Sequence, residues 1–85
     1  MKLYKFEAPW CQPCKQQKPM LDMLMLNIPT LHVIPVDISL EVNSDFAAAN
    51  QVRTLTTYLL INDDGSSKKK VGPQSEKIMR DWLGL

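Results

Sequence analysis

Hydrophobic and polar positions fall into short blocks along the chain. "KLYKF", residues 2–6, is apolar and aromatic-rich and is stopped by Ala8-Pro9, which predicts a strand with a breaker behind it. From Cys11 to about Asn27 the pattern turns helical, with Met20, Leu21, Met23, Leu24, Met25 and Leu26 crowding its second half. Pro13 falls in the first turn, where its missing N–H would have had no intrahelical partner. Pro19 lies deeper and predicts a kink, and Asn27-Ile28-Pro29 ends the segment. The methionines of this helix, Met20, Met23 and Met25, read as core filling.

"LHVIPVDI", residues 31–38, is rich in β-branched side chains and predicts a second strand. Asn43-Ser44-Asp45 offers a helix start before "FAAANQV". "TTYLLIN", 56–62, predicts a third strand, "DDGSS" a turn, and "KKKV", 68–71, a fourth strand that Gly72-Pro73 breaks off. Ser75 can cap a last helix running through Trp82, with Ile78, Met79, Trp82 and Leu83 on its buried face. The order β-α-β-α-β-β-α describes an α/β fold: a parallel pair joined by a right-handed crossover, then an antiparallel hairpin covered by a helix. Four strands form one mixed sheet flanked by three helices, and residues 1–85 leave room for a single domain only.

Composition narrows the function classes. With 45% apolar and 22% charged residues the chain is ordinary globular material, and a net charge of +1 gives no pull toward nucleic acid, membrane or acidic partners. No run approaches the roughly 20 apolar residues of a membrane span. The opening "MKLYKFEAPWC" lacks a secretory apolar core, because charge returns at Lys5 and Glu7, so a cytoplasmic, reducing location is expected. The chain has 2 cysteines, too few for a disulfide framework, and a close pair in that compartment points to catalysis or metal binding.

Both cysteines lie in "APWCQPCK", residues 8–15. Cys11 stands where the first strand hands over to the helix, and unpaired backbone N–H groups at a helix start favour an anion there. Cys14, one turn further in, can close a disulfide with Cys11 while the helix shields it. That asymmetry assigns two roles: Cys11 attacks a substrate disulfide and Cys14 resolves the mixed disulfide. A closed zinc site needs four ligands, and the chain adds only His32 as a further soft one, so no metal is expected within one chain. A metal or iron–sulfur cluster shared between two chains is the alternative chemistry.

"WCQPCK" resembles the active-site hexapeptide of the thioredoxin family, with Gln12 where thioredoxins usually carry glycine. Pro19 matches the family's helix proline, "QVRTLTTYLLINDDG" is similar to the stretch running through the family's cis-proline into its hairpin, and "VGPQS" resembles the glycine loop before its last helix. The match covers nearly the whole chain in a shortened form, without the family's extra N-terminal strand and helix. The resemblance implies a thioredoxin fold and a thiol–disulfide oxidoreductase that reduces protein disulfides without a bound cofactor. It also implies recharging by a thioredoxin reductase or glutathione, with ribonucleotide reductase as a candidate client, and a monomer that docks disulfide-containing proteins. Trp10, Gln12, Pro13, Thr54, Leu55, Thr56 and Gly72 are then the expected substrate-facing set, with Trp10 packed beside the thiols and Gly72 letting a partner approach. A thioredoxin-fold module that only binds a partner protein is the non-enzymatic alternative.

Two positions depart from the family pattern. Thr56 occupies the place of the cis-proline, and a cis bond before a non-proline residue costs about 3–4 kcal/mol, so the Leu55–Thr56 bond is expected to be trans. Lys5 stands where thioredoxins hold a buried aspartate. It can act as a cation that tunes a thiol pKa, or snorkel to the rim with its head in water, and the second is the expectation adopted. Glu7, nearer the motif, is a candidate substitute acid.

The remaining features are structural. His32 has no companion acid or cysteine nearby in sequence, and Asp63-Asp64-Gly65 lacks the further carboxylates of a calcium loop. Lys68, Lys69 and Lys70 on a short strand protect a sheet edge. Since neither Gln12 nor Pro13 adds charge beside Cys11, the reduction potential is predicted to lie roughly between −200 and −270 mV. Equilibration against a glutathione redox buffer measures it, and a value near about −120 mV, that of a strong oxidant, would contradict the prediction.

Overall fold

The computed structural model describes Met1–Leu85. In order, the elements are β1 (Lys2–Glu7), α1 (Gln12–Asn27), β2 (His32–Asp37), a 3-10 turn (Glu41–Asn43), α2 (Ser44–Ala49), β3 (Thr57–Ile61), β4 (Ser67–Val71) and α3 (Glu76–Leu83). The sheet order is β2-β1-β3-β4, with β1 parallel to β2 and antiparallel to β3, and β3 antiparallel to β4. The two central strands, β1 and β3, are therefore the most buried ones.

Side-chain alternation sends the two faces of the sheet to different helices. On one face Leu3, Tyr58 and Leu60 pack with Leu21 and Leu24 of α1 and Met79 and Leu83 of α3. On the other, Phe6, Val36 and Leu59 meet Phe46 and Ala47 of α2, with the Phe46 ring 5.2 Å from that of Tyr4 and 5.4 Å from that of Phe6. The fold is the expected mixed sheet of four strands with three helices.

Helix ends follow local chemistry. Cys11 caps α1, Ser75 Oγ accepts the Ile78 N–H at 3.2 Å to cap α3, and Gly84 closes α3 at φ 83° with the Leu85 N–H reaching Arg80 O. The buried stripe of α1 is Cys14, Gln17, Leu21 and Leu24, at helical spacing. Pro19 sits inside an uninterrupted helix.

Several expectations need correction. α2 does start at Ser44, as Asn43-Ser44-Asp45 predicts, but the Asn43 amide donates to Asp37 O at 2.9 Å and ties the 3-10 turn to the end of β2 rather than capping the helix. Ile78 is largely exposed, because Met79 and Leu83 carry the inner face of α3. Met23 also faces solvent, leaving Met20 and Met25 to pack on the core. β4 is an edge strand, as its lysines predict, but two of them also act as clips. Lys68 lies over the Trp82 ring and donates to the Trp82 carbonyl, and Lys69 donates to Asn50 O at 3.0 Å. The other edge, β2, carries Pro35, which has no N–H to offer a neighbouring strand. Asp64 accepts the Ser66 hydroxyl and N–H, bonds that hold its carboxyl below the usual range and shape the β3–β4 turn.

Candidate active site

The dithiol sits at the junction of β1 and α1. The chain leaves β1 through Ala8, turns at Pro9-Trp10, and the Cys11 N–H donates back to Ala8 O at 3.0 Å. Cys11 is then the N-cap residue of α1, in extended backbone conformation, and its Sγ accepts the Cys14 N–H at 3.3 Å. A sulfur in that position faces the unpaired donors of a helix start, the environment that stabilises a thiolate. Cys11 and Cys14 are joined as a disulfide, with Cα atoms 5.3 Å apart. Cys11 is 6% exposed and Cys14 1%, so both residues of the disulfide are buried. Gln12 and Pro13 between them are exposed.

Ala8, Ile38 and Leu55 form the apolar wall against the two sulfurs. Trp10, expected beside the thiols, stands 71% exposed on the turn that leads to Cys11. Thr54 is exposed, Leu55 is half-buried against the cysteines, and Thr56 is fully buried. The Leu55–Thr56 peptide is cis, not trans as expected. Thr56 is held from two sides, its Oγ1 donating to Phe6 O at 2.9 Å and its carbonyl accepting the Gly72 N–H at 2.7 Å. Gly72 has φ 93°, a conformation that suits glycine, so the loop after β4 lies beside the Thr54–Thr56 loop. The resemblance named both loops, and backbone hydrogen bonding brings them together.

Lys5 does not place its head in water. It is 5% exposed, and its Nζ pairs with Glu7 Oε1 at 3.1 Å. Residues two apart on a strand share a face, so the ion pair follows directly from β1 geometry. Lys5, Glu7 and Cys14 line one cleft of about 400 Å³, together with Lys15, Lys18 and Asp22 from α1. Glu7 also acts on Tyr58: burial first, and this carboxylate second, push the Tyr58 hydroxyl well above the usual tyrosine range.

One polar residue of the site was not singled out from the sequence. Gln17, buried on α1 one turn beyond Cys14, accepts hydrogen bonds from the Tyr58 hydroxyl at 2.6 Å and from the Gln74 N–H at 3.0 Å. A polar residue within the stripe Cys14, Gln17, Leu21, Leu24 was the available signal. His32 is exposed on β2. No group of three or more His, Cys, Asp or Glu side chains converges to hold a metal ion. No helix is long and apolar enough to cross a membrane.

A dithiol at a helix start, set over a mixed sheet and closed as a disulfide, is the arrangement of a thiol–disulfide oxidoreductase. The thioredoxin family profile matches residues 1–84, and the chain belongs to the thioredoxin family. It is 32% identical to an H-type thioredoxin of Populus jackii over 76 residues, spanning 89% of this chain and 53% of that protein. It is 30% identical to a thioredoxin of Chlamydia pneumoniae over 81 residues, spanning 95% of this chain and 78% of that protein. Among solved structures, oxidized mitochondrial thioredoxin 3 of Saccharomyces cerevisiae superposes with a TM-score of 0.83 at 26% identity, covering 99% of this chain and 77% of that one.

Two outcomes test the site. In the reduced protein at neutral pH, iodoacetamide is expected to modify Cys11 about five- to tenfold faster than free cysteine, and Cys14 more slowly, by peptide mass analysis. Equal rates at both sulfurs would refute the helix-start placement. Glu7→Ala, which strands the buried Lys5 ammonium, is expected to cost about 3 kcal/mol in urea unfolding, at the low end for a broken buried pair because the Glu7 side chain is 31% exposed. Lys5→Met combined with Glu7→Ala should recover most of that loss.

Proposed function

We propose that this protein is a small protein-disulfide reductase in which Cys11 is the nucleophile and Cys14 the resolving thiol. The observation that carries the proposal is the Cys11 sulfur held by the first-turn N–H of α1 with Cys14 directly behind it. In the dithiol state the Cys11 thiolate attacks one sulfur of a substrate disulfide and the other sulfur leaves as a thiolate. Cys14, once deprotonated, attacks Cys11 Sγ, releases the second substrate thiol and closes the Cys11–Cys14 bond. Two electrons pass to the substrate and none to a cofactor, so none is required.

Glu7 takes the Cys14 proton in this scheme, within the cleft it shares with that sulfur, and Lys5 positions the carboxylate. Trp10, Gln12 and Pro13 form the outer rim, while Thr54, Leu55 and Gly72 offer backbone and apolar surface to an extended substrate segment, with Thr56 buried beneath them to hold the two loops together. By family resemblance the reductant is a thioredoxin reductase or glutathione, the clients include ribonucleotide reductase, and the protein works in the cytoplasm as a monomer, with residues 1–85 forming one domain.

The test is insulin reduction with each electron donor in turn. Turnover with one donor is expected, and Cys11→Ser should abolish it. Cys14→Ser should instead accumulate a stable mixed disulfide between Cys11 and insulin, visible on a non-reducing gel. Insulin reduction that survives Cys11→Ser would dismiss the scheme.

A further inference from the structure

Gln17 lies one turn beyond the resolving cysteine on α1, yet the chemistry above does not use it. It occupies a core position on α1 that packing alone would fill with an aliphatic side chain, since its neighbours on the stripe are Leu21 and Leu24. Its side-chain oxygen serves two donors from distant elements: the Tyr58 hydroxyl on β3, 41 residues away, and the Gln74 backbone N–H, 57 residues away. A backbone N–H can only donate, so the carbonyl end of the amide must face the loop. Tyr58 remains a neutral donor, as its burial and the nearby carboxylate dictate.

The other bonds of that loop decide what the contact does. The Gly72 N–H donates to Thr56 O at 2.7 Å, and the Gln74 side chain donates to the Gly72 and Val71 carbonyls at 2.9 and 3.2 Å. Residues 72–74 are thus tied to the Thr54–Thr56 loop at one end and to the dithiol helix, through a single amide oxygen, at the other. We infer that Gln17 is a positioning residue that sets the distance between the dithiol and the paired loops that receive a protein substrate. Substrate backbone docks on those loops while its sulfur must reach Cys11, so the spacing governs protein disulfides and leaves small disulfides unaffected.

This inference rests on the reductase proposal, and the experiment separates the two. Gln17→Met keeps the length of the side chain and removes the acceptor. KM for insulin is expected to rise about tenfold with kcat within about twofold, while reduction of a small disulfide, hydroxyethyl disulfide, stays within about twofold. Tyr58→Phe, which leaves the Gln74 bond in place, should raise KM less than Gln17→Met. In amide hydrogen exchange, Gln74 should be protected in the wild-type protein and lose that protection in Gln17→Met, with the Leu60 amide unchanged. An unaltered KM, or equal losses on insulin and hydroxyethyl disulfide, would overturn the inference. So would a wild-type Gln74 amide exchanging at the rate of an open loop, a measurement that does not depend on the variant folding. Absence of insulin reduction by the wild type would instead sink the reductase proposal itself.

Discussion

The site depends on one contact, the first-turn N–H of α1 turned toward the Cys11 sulfur. That N–H has no carbonyl partner within the helix, so a sulfur at the N-cap meets a donor that would otherwise go to water. Stabilising the anion makes Cys11 the better attacking group at neutral pH, as the proposed scheme requires. The rest of the fold keeps that geometry in place. β1 delivers Cys11 to the helix start, Ala8, Ile38 and Leu55 cover the sulfurs, and Leu21 and Leu24 anchor the helix to the sheet.

Behind the dithiol, a buried lysine is tolerated because its partner is built into the same strand face. Removing an ammonium from water costs several kcal/mol, and a carboxylate at 3.1 Å offsets that cost only if it stays in place. The half-buried position of Glu7 keeps one side of the pair near water, within a cleft that also reaches Cys14. A charge pair in this place gives the dithiol a polar neighbour without leaving either charge alone in the core.

What the sequence made legible were features whose partners lie nearby along the chain. The β-α-β-α-β-β-α order, the Cys11 cap, the Ser75 cap and the edge lysines all follow from local periodicity and spacing. The Lys5–Glu7 pair follows from strand alternation, but a lysine can equally reach water from a strand, so alternation alone does not choose its partner. The remaining misses involve distant partners. Thr56 is anchored by Phe6 and Gly72, so the state of the Leu55–Thr56 bond had no local signature. Gln17 finds both its donors more than forty residues downstream.

In a domain this small, apolar packing resists separation of the layers but has little directional preference, so a helix can slide by fractions of an ångström at small cost. A buried hydrogen bond is directional, and losing it leaves a desolvated polar group that no neighbour can satisfy. The two bonds of Gln17, from the Tyr58 hydroxyl and the Gln74 N–H, tie α1 to β3 and to the loop after β4 at once. The apolar core holds the helix on the sheet. The polar contacts determine where on the sheet it rests, and therefore where its two sulfurs stand relative to the loops that face them.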